Sequence, residues 1–467
     1  MHIAFINPQG NFDASNAHLT EHPDFGGQLI YVRELALAMA ELGARVDVLT
    51  RQIIDPDWPE FSEAQDDFGE YADQVRIIRL PFGGPKFLAK EALWPTLPDF
   101  VTAIQTHYGD ALPDYVTSHY ADGGYSAVLL RARTGLGFTF TGHSLGAQKM
   151  DKLRASPANI EALEDRFRFS QRIAAERQAM RLADRVVTST RAEASEQYAH
   201  PLYAGAAPAH ESGFDVIPPG INGKIFHPDL ERDSIDQRRI QPGDFGRPQV
   251  IVSSRLDAKK NIAGVVEAFA QSPALVDRAG LVICTRGLED PWTEIEKLRE
   301  DERAVLGPIL ERIDQAGLRG QVRFLDIGSQ QALASVYRSL AQLESVFALP
   351  SLVEPFGLAP IEAAACGLAV AATRNGGPSE VFGNGGGILF DPEDPKDIAA
   401  TLIDALSQAR TLRRQALETI VPNYSWRATA ERYLQVIEGG MSRGRAAISE
   451  PDDLNASSRI QQWLEGN

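Results

Sequence analysis

A chain of 467 residues is longer than one ordinary hydrophobic core serves, so two large domains are expected. Its 46 lysines and arginines against 63 acids leave a net charge of −17, which repels polyanions wherever cations are not gathered locally. Nucleic acid and anionic membrane are therefore not expected as partners, and no apolar run reaches the roughly 18–20 residues of a membrane-crossing helix.

Met1-His2-Ile3-Ala4-Phe5-Ile6 reads as a buried strand rather than a leader peptide, and it runs into Asn7-Pro8-Gln9-Gly10. From Gly27 to Leu42, Leu29, Ile30, Val32, Leu35 and Met39 fall largely at helical spacing. Short apolar runs at 46–49, 75–80, 116–118, 138–141 and 186–189 predict further strands buried on both faces. Strands alternating with helices imply a parallel sheet with crossovers. The rhythm breaks between 205 and 249, where Gly205-Ala-Ala-Pro208 and Val216-Ile-Pro-Pro-Gly220 mark a domain junction. A second series follows at 250–253, 280–284, 322–324, 346–349, 369–372 and 387–390.

The expected fold is thus α/β, two Rossmann-like doubly wound parallel sheets facing a central cleft, spanning 1–215 and 216–422. Residues 423–467 add a helix from Tyr424 to Ile437 and a polar tail from about 440, expected to be mobile or weakly docked. Ligands of such sheets bind outside the carboxyl ends of the strands. Cys284 and Cys366 each stand alone in apolar stretches, as reduced core thiols of a cytoplasmic protein would.

Two strand-to-helix turns carry chemistry. Glu354-Pro-Phe-Gly-Leu-Ala-Pro-Ile-Glu362 offers Gly357 for a close turn, free amides at Leu358 and Ala359 for a phosphate, the loop carboxylate Glu354, and Glu362 in the first helical turn to accept ribose hydroxyls. An acid there also serves as a plain dipole partner. Ser254-Arg255-Leu-Asp-Ala-Lys259-Lys260-Asn261 sets Arg255 and Lys260 at a strand mouth, where they could stabilise a departing nucleoside diphosphate without a metal; a basic turn after a strand is also ordinary surface. Asp55-Pro-Asp57 fits an acid-x-acid metal pattern, but beside Trp58-Pro59 it reads as a surface turn, so no metal or other cofactor is expected.

Arg255 and Lys260 followed by Glu354 to Glu362 resemble the retaining glycosyltransferases of GT-B architecture. His22-Pro-Asp-Phe-Gly26-Gly27-Gln28, Pro81-Phe-Gly-Gly84 with Phe87-Leu-Ala-Lys90-Glu91, Thr141-Gly-His143-Ser144-Leu-Gly146-Ala-Gln-Lys149 and Arg172-Ile-Ala-Ala-Glu176 narrow the resemblance to bacterial sucrose-phosphate synthases. The resemblance reaches to about residue 438. It implies that the helix from Tyr424 crosses back to the amino-terminal domain. By the same resemblance the Gly26-Gly27 turn brings amides to the donor phosphates, Gly26 also bordering the acceptor that Gln28 contacts. His143 would face the donor sugar beside Arg255, Lys260 and Glu354. Lys90, Lys149 and Arg172 would hold the phosphate of fructose 6-phosphate, a dianion that a chain of charge −17 can bind only through gathered cations. Tyr120, Asp122 and Ser144 would add hydroxyl contacts. Asp326-Ile-Gly-Ser329-Gln-Gln331 would lie by the nucleobase, recognised through backbone groups.

The implied reaction moves glucose from UDP-glucose to fructose 6-phosphate with retention, giving sucrose 6-phosphate and UDP. A separate sucrose-phosphate phosphatase would act downstream. Sucrose synthase, with a free fructose acceptor, would not need Lys90, Lys149 and Arg172 together. A GDP-mannose donor giving mannosylfructose phosphate stays open. A nucleotide-sugar epimerase shares the architecture but would not need Arg255, Lys260, Glu354 and Glu362 in transferase order.

Overall fold

The computed structural model describes residues 1–14, 25–210, 213–232, 245–449, 451 and 453–466. Among these, the first sheet contains β1 His2–Ile6, β2 Arg45–Arg51, β3 Gln65–Asp66, β4 Val75–Leu80, β5 Tyr115–His119, β6 Phe138–Thr141, β7 Arg185–Thr188 and β8 Phe214–Val216. Their spatial order is β3-β4-β2-β1-β5-β6-β7-β8, parallel except for the antiparallel edge β3. Both faces are covered, which is why these strands read as continuous apolar runs rather than alternating ones. β3 and β8, two and three residues long, are too short to leave a periodic trace in the sequence.

The second sheet holds β9 Gln249–Ser253, β10 Gly280–Thr285, β11 Val322–Asp326, β12 Val346–Leu349, β13 Ala369–Thr373 and β14 Ile388–Phe390. Their order is β11-β10-β9-β12-β13-β14, with parallel pairing throughout. Each sheet therefore reverses its winding once, between β1 and β5 and between β9 and β12. Loops diverge at such a switch point and leave a crevice at the carboxyl ends of the strands.

The chain divides into Met1–Pro219 with Trp426–Asn467, and Gly220–Ser425. The first crossing lies four residues beyond the expected 215/216 and the return three beyond 422/423. On the second unit's side the two passages are zipped together, since Ile221 bridges Ser425 and its amide donates to the Tyr424 carbonyl at 2.7 Å.

After its return the chain forms the helix Trp426–Met441, which packs on the helix Gly27–Glu41 and buries Ala430, Tyr433 and Ile437. A buried tyrosine needs partners for its hydroxyl. Tyr433 Oη finds Thr117, Thr139 and Thr141 Oγ1 at 3.0, 3.3 and 2.9 Å, which ties this helix to β5 and β6.

The tail departs from expectation. Residues Ser457–Gly466 form a helix whose Ile460 and Leu464 sink into the first unit's core, with Trp463 packed at its margin. Its polar composition conceals an apolar stripe at i, i+3 and i+4, enough to dock one face. Cys284 and Cys366 are buried free thiols. No helix among the described residues is long and apolar enough to cross a membrane.

Candidate active site

At the first switch point, Asn7 follows the end of β1 and His119 ends β5. Asn7 Oδ1 accepts from Gln28 Nε2 at 2.6 Å, and Gln9 Nε2 donates to Gln28 Oε1 at 2.9 Å. Gln28 is thus fixed by the strand-end loop, while Gly26 and Gly27 begin the helix with open space where a Cβ would stand. A ligand can approach that backbone closely. His22, Pro23 and Asp24 lie outside the described residues.

Tyr120 and His143, each just past a strand end, adopt left-handed φ of +66° and +57°. Such conformations cost on the order of 1–3 kcal/mol for a non-glycine residue and persist where the surroundings over-determine them, often at functional sites. His143 is held by its ring: Nε2 lies 2.9 Å from Nδ1 of buried His119, and Tyr31 meets it edge-on at 4.9 Å. Burial lowers the imidazole to about 3, so His143 is neutral at physiological pH. A neutral ring suits contact with a sugar, not charge stabilisation.

The charges of Arg172 and Lys90 both act on Lys149, so the three cations lie near one another in the first unit. Arg172, in the helix Phe169–Leu182, is only 4% exposed, lies 4.6 Å over the Tyr120 ring, donates to Glu176 Oε1 at 2.9 Å and donates to the Ser144 carbonyl at 2.5 Å. Glu176 in turn accepts the amide of Gly146 at 2.9 Å and the hydroxyl of Tyr203. Lys149 comes from the helix Gly146–Lys152 and sits 3.7 Å over the Phe167 ring. Lys90 opens a short 3₁₀ turn. The loop before that turn is held from within by Arg51, which is 2% exposed and donates to the carbonyls of Gly84 at 3.0 Å and of Lys86. Burial alone pulls the Arg51 guanidinium down to about 10, and it remains a cation.

Asp122, expected to add a hydroxyl contact, is buried. It is 2% exposed, its Oδ1 accepts the Gly123 amide at 2.9 Å, and only Oδ2 stands without a partner. Burial raises it to about 7, against the pull of Arg172 and Lys90. Ser144 is exposed, yet its carbonyl rather than its hydroxyl serves Arg172.

Burial, then the nearby charges of Arg172 and Lys90, lowers Lys149 to about 8. Above that pH the lysine is neutral, so one of the three cations is lost to an anionic ligand as pH rises from 7 to 9. The KM for a phosphorylated acceptor is expected to climb across this window, and Lys149→Arg to flatten the rise because arginine stays charged. A wild-type profile as flat as the variant's would contradict this.

At the second switch point, Lys260 Nζ lies 2.6 Å from Glu354 Oε2, and Ser351 Oγ donates to the same carboxylate at 3.2 Å. Their side chains are 23% and 15% exposed, so the pair is shielded but reachable. Leu352 donates its amide to the Lys259 carbonyl at 2.9 Å, which joins the loops after β9 and β12. Behind Glu354, Gly376 has φ +97° and any Cβ there would stand 2.2 Å from the Glu354 carbonyl. No other residue permits that approach. Arg255 is exposed beside the pair in sequence.

Gly357, at φ +90°, caps the helix Leu358–Ala365, so the amides of Leu358 and Ala359 begin it as expected. Glu362 is the fifth residue of this helix, beyond its first turn. Burial there raises its carboxyl to about 7.

Sequence reasoning left His119, Tyr203, Arg51 and Gly376 unassigned. Gly376-Gly377 was a visible signal; the other three act through contacts distant in sequence. Asp55-Pro-Asp57 is a turn, and Asp55 Oδ2 accepts the Phe87 amide at 3.2 Å. Among the described residues no three His, Cys, Asp or Glu side chains cluster as metal ligands would.

Residues 233–443 match the family of glycosyl transferases group 1, and residues 26–207 match the glycosyl transferase 4-like domain. The chain is 44% identical over 443 residues to a probable sucrose-phosphate synthase of Thermosipho melanesiensis, covering 94% of this chain and 96% of the relative. To the sucrose-phosphate synthase of Spinacia oleracea it is 31% identical across 94% of its own length, but it spans only 47% of that protein. Among solved structures, sucrose-phosphate synthase from Thermosynechococcus elongatus superposes with a TM-score of 0.65 at 27% identity, over 95% of this chain and 100% of that one.

Proposed function

Because the chain belongs to the sucrose-phosphate synthases, hexosyltransferases of the group 1 glycosyltransferase family, we propose that it moves glucose from UDP-glucose to fructose 6-phosphate with retention at the glucose carbon. The products are sucrose 6-phosphate and UDP. The observation that carries the acceptor choice is the gathering of Lys90, Lys149 and Arg172 in the first unit, strong enough in mutual repulsion to help depress Lys149. Repelling cations held together favour a dianion, and free fructose offers none.

The donor's bond from glucose C1 to the β-phosphate oxygen breaks, and a bond from C1 to the anomeric oxygen of fructose forms on the same face. The acceptor's proton passes to the departing phosphate oxygen. Lys260 and Arg255 stabilise the charge that grows there, with Lys260 held in place by Glu354. The helix start at Leu358 and Ala359 cradles the phosphates, Glu362 takes the ribose hydroxyls, and the neutral ring of His143 faces the glucose. No side chain acts as covalent nucleophile, and no metal or other cofactor is invoked. The product carries a phosphate, so a phosphatase must follow to release sucrose.

Initial rates for UDP-, ADP- and GDP-sugars against fructose and fructose 6-phosphate test the reading. The maximum is expected at UDP-glucose with fructose 6-phosphate. A maximum at free fructose would overturn the acceptor, and one at GDP-mannose the donor.

A further inference from the structure

We propose that the carboxyl-terminal helix Ser457–Gly466 is a positioning element for the acceptor-phosphate cations, a role that rests on the acceptor reading above. The helix packs on the 3₁₀ turn Pro201–Tyr203, and Ala456 just before it bonds to the start of the helix Phe169–Leu182.

Three lines of contact run from it to the cations. The Trp463 ring lies 5.0 Å from the His200 ring. His200 Nδ1 accepts the Leu202 amide at 3.1 Å, so its Nε2 carries the hydrogen that faces Asp151 Oδ2 at 3.5 Å, two residues from Lys149 on the same short helix. Tyr203, last residue of that turn, accepts the Ala147 amide at 3.0 Å and donates to Glu176, the partner of Arg172. The Ala456 amide donates to the Ser170 carbonyl at 3.1 Å, two residues before Arg172.

Lys149 and Arg172 therefore stand on two elements that are tied to the docked helix through the turn Pro201–Tyr203, His200 and Ala456. The helix Gly146–Lys152 is only seven residues long and keeps little stability of its own without tertiary packing. Arg172, Lys149 and Lys90 repel one another, so something must oppose their drift apart in the absence of ligand. Ile460 and Leu464 anchor the helix in the core, and Trp463 together with Ala456 delivers that anchorage to the turn and the helix start. Binding sites held by packed supports lose affinity through misplacement rather than through loss of a contact.

The test compares Trp463→Ala with Trp463→Phe in the full chain. Trp463→Ala is expected to raise KM for fructose 6-phosphate about tenfold while KM for UDP-glucose and kcat stay within about twofold. Trp463→Phe keeps a ring against His200 and should restore most of the acceptor KM. Amide hydrogen exchange without substrate should quicken at 146–152 and 169–172 in Trp463→Ala and stay unchanged in β9 and β12. Equal rises in both KM values, or exchange at 146–152 unchanged from the parent, would overturn the proposal. Should the parent itself fail to use fructose 6-phosphate, the acceptor reading falls, and the exchange result still decides whether the tail supports these two elements.

Discussion

Lys260→Ala is expected to lower kcat by about 10²–10³-fold, the loss typical of removing one preorganised group that stabilises a developing oxyanion. The charge on the departing phosphate appears only as the bond from glucose breaks, so the effect falls on kcat more than on donor KM. Melting should shift little, because Glu354 keeps the Ser351 hydroxyl and is anchored through its backbone to Asn375 and Gly377. Steady-state rates with a thermal melt alongside decide the matter. A kcat within tenfold of the parent would remove Lys260 from the chemistry, and collapse of the fold would assign it to structure.

Arg172→Ala should have two effects at once. Acceptor KM is expected to rise at least 10²-fold, since a buried charge-assisted contact and its geometry are both lost. Stability should fall by about 3–5 kcal/mol, because Glu176, wholly buried, loses its only cationic hydrogen-bond partner among the described residues. The pH dependence has a definite sign. Burial raises Glu176 above the usual carboxylate range even with Arg172 opposing it, so the folded state binds the proton more tightly than the unfolded one. Stability linked to this group is present at low pH and lost as pH rises through the folded value. Without Arg172 the shift grows, and the penalty should be larger at pH 8 than at pH 5. Denaturant midpoints at the two pH values check this, and adding Glu176→Gln should recover stability but not acceptor affinity. Recovery of both would mean that Arg172 serves only the fold.

The parallel strands were legible because burial on both faces writes them as apolar runs, and so were the strand-to-helix turns that carry Lys260, Glu354 and Gly357. Legible too were the cations as residue types, through a resemblance that supplied their common purpose. What could not be read was how each is held. His143 bonds to His119, Arg172 lies over Tyr120, and Arg51 binds loop carbonyls more than thirty residues away. Such contacts follow from tertiary register, which spacing along the chain does not encode. The left-handed φ of Tyr120 and His143 was hidden for a related reason, since no local preference asks a tyrosine to adopt it. The tail misled because three apolar residues among ten were outweighed by their polar neighbours. One covered face is all that docking requires.

The specificity ratio, kcat/KM for fructose 6-phosphate over that for fructose, measured in the parent and in Lys149→Met, tests most directly whether the gathered cations exist to hold a phosphate. Three charge-assisted contacts predict a parental ratio of at least about 10³ and a fall of tenfold or more in the variant, with fructose turnover itself little changed. A parental ratio near one, or a variant that loses both acceptors equally, would contradict the account.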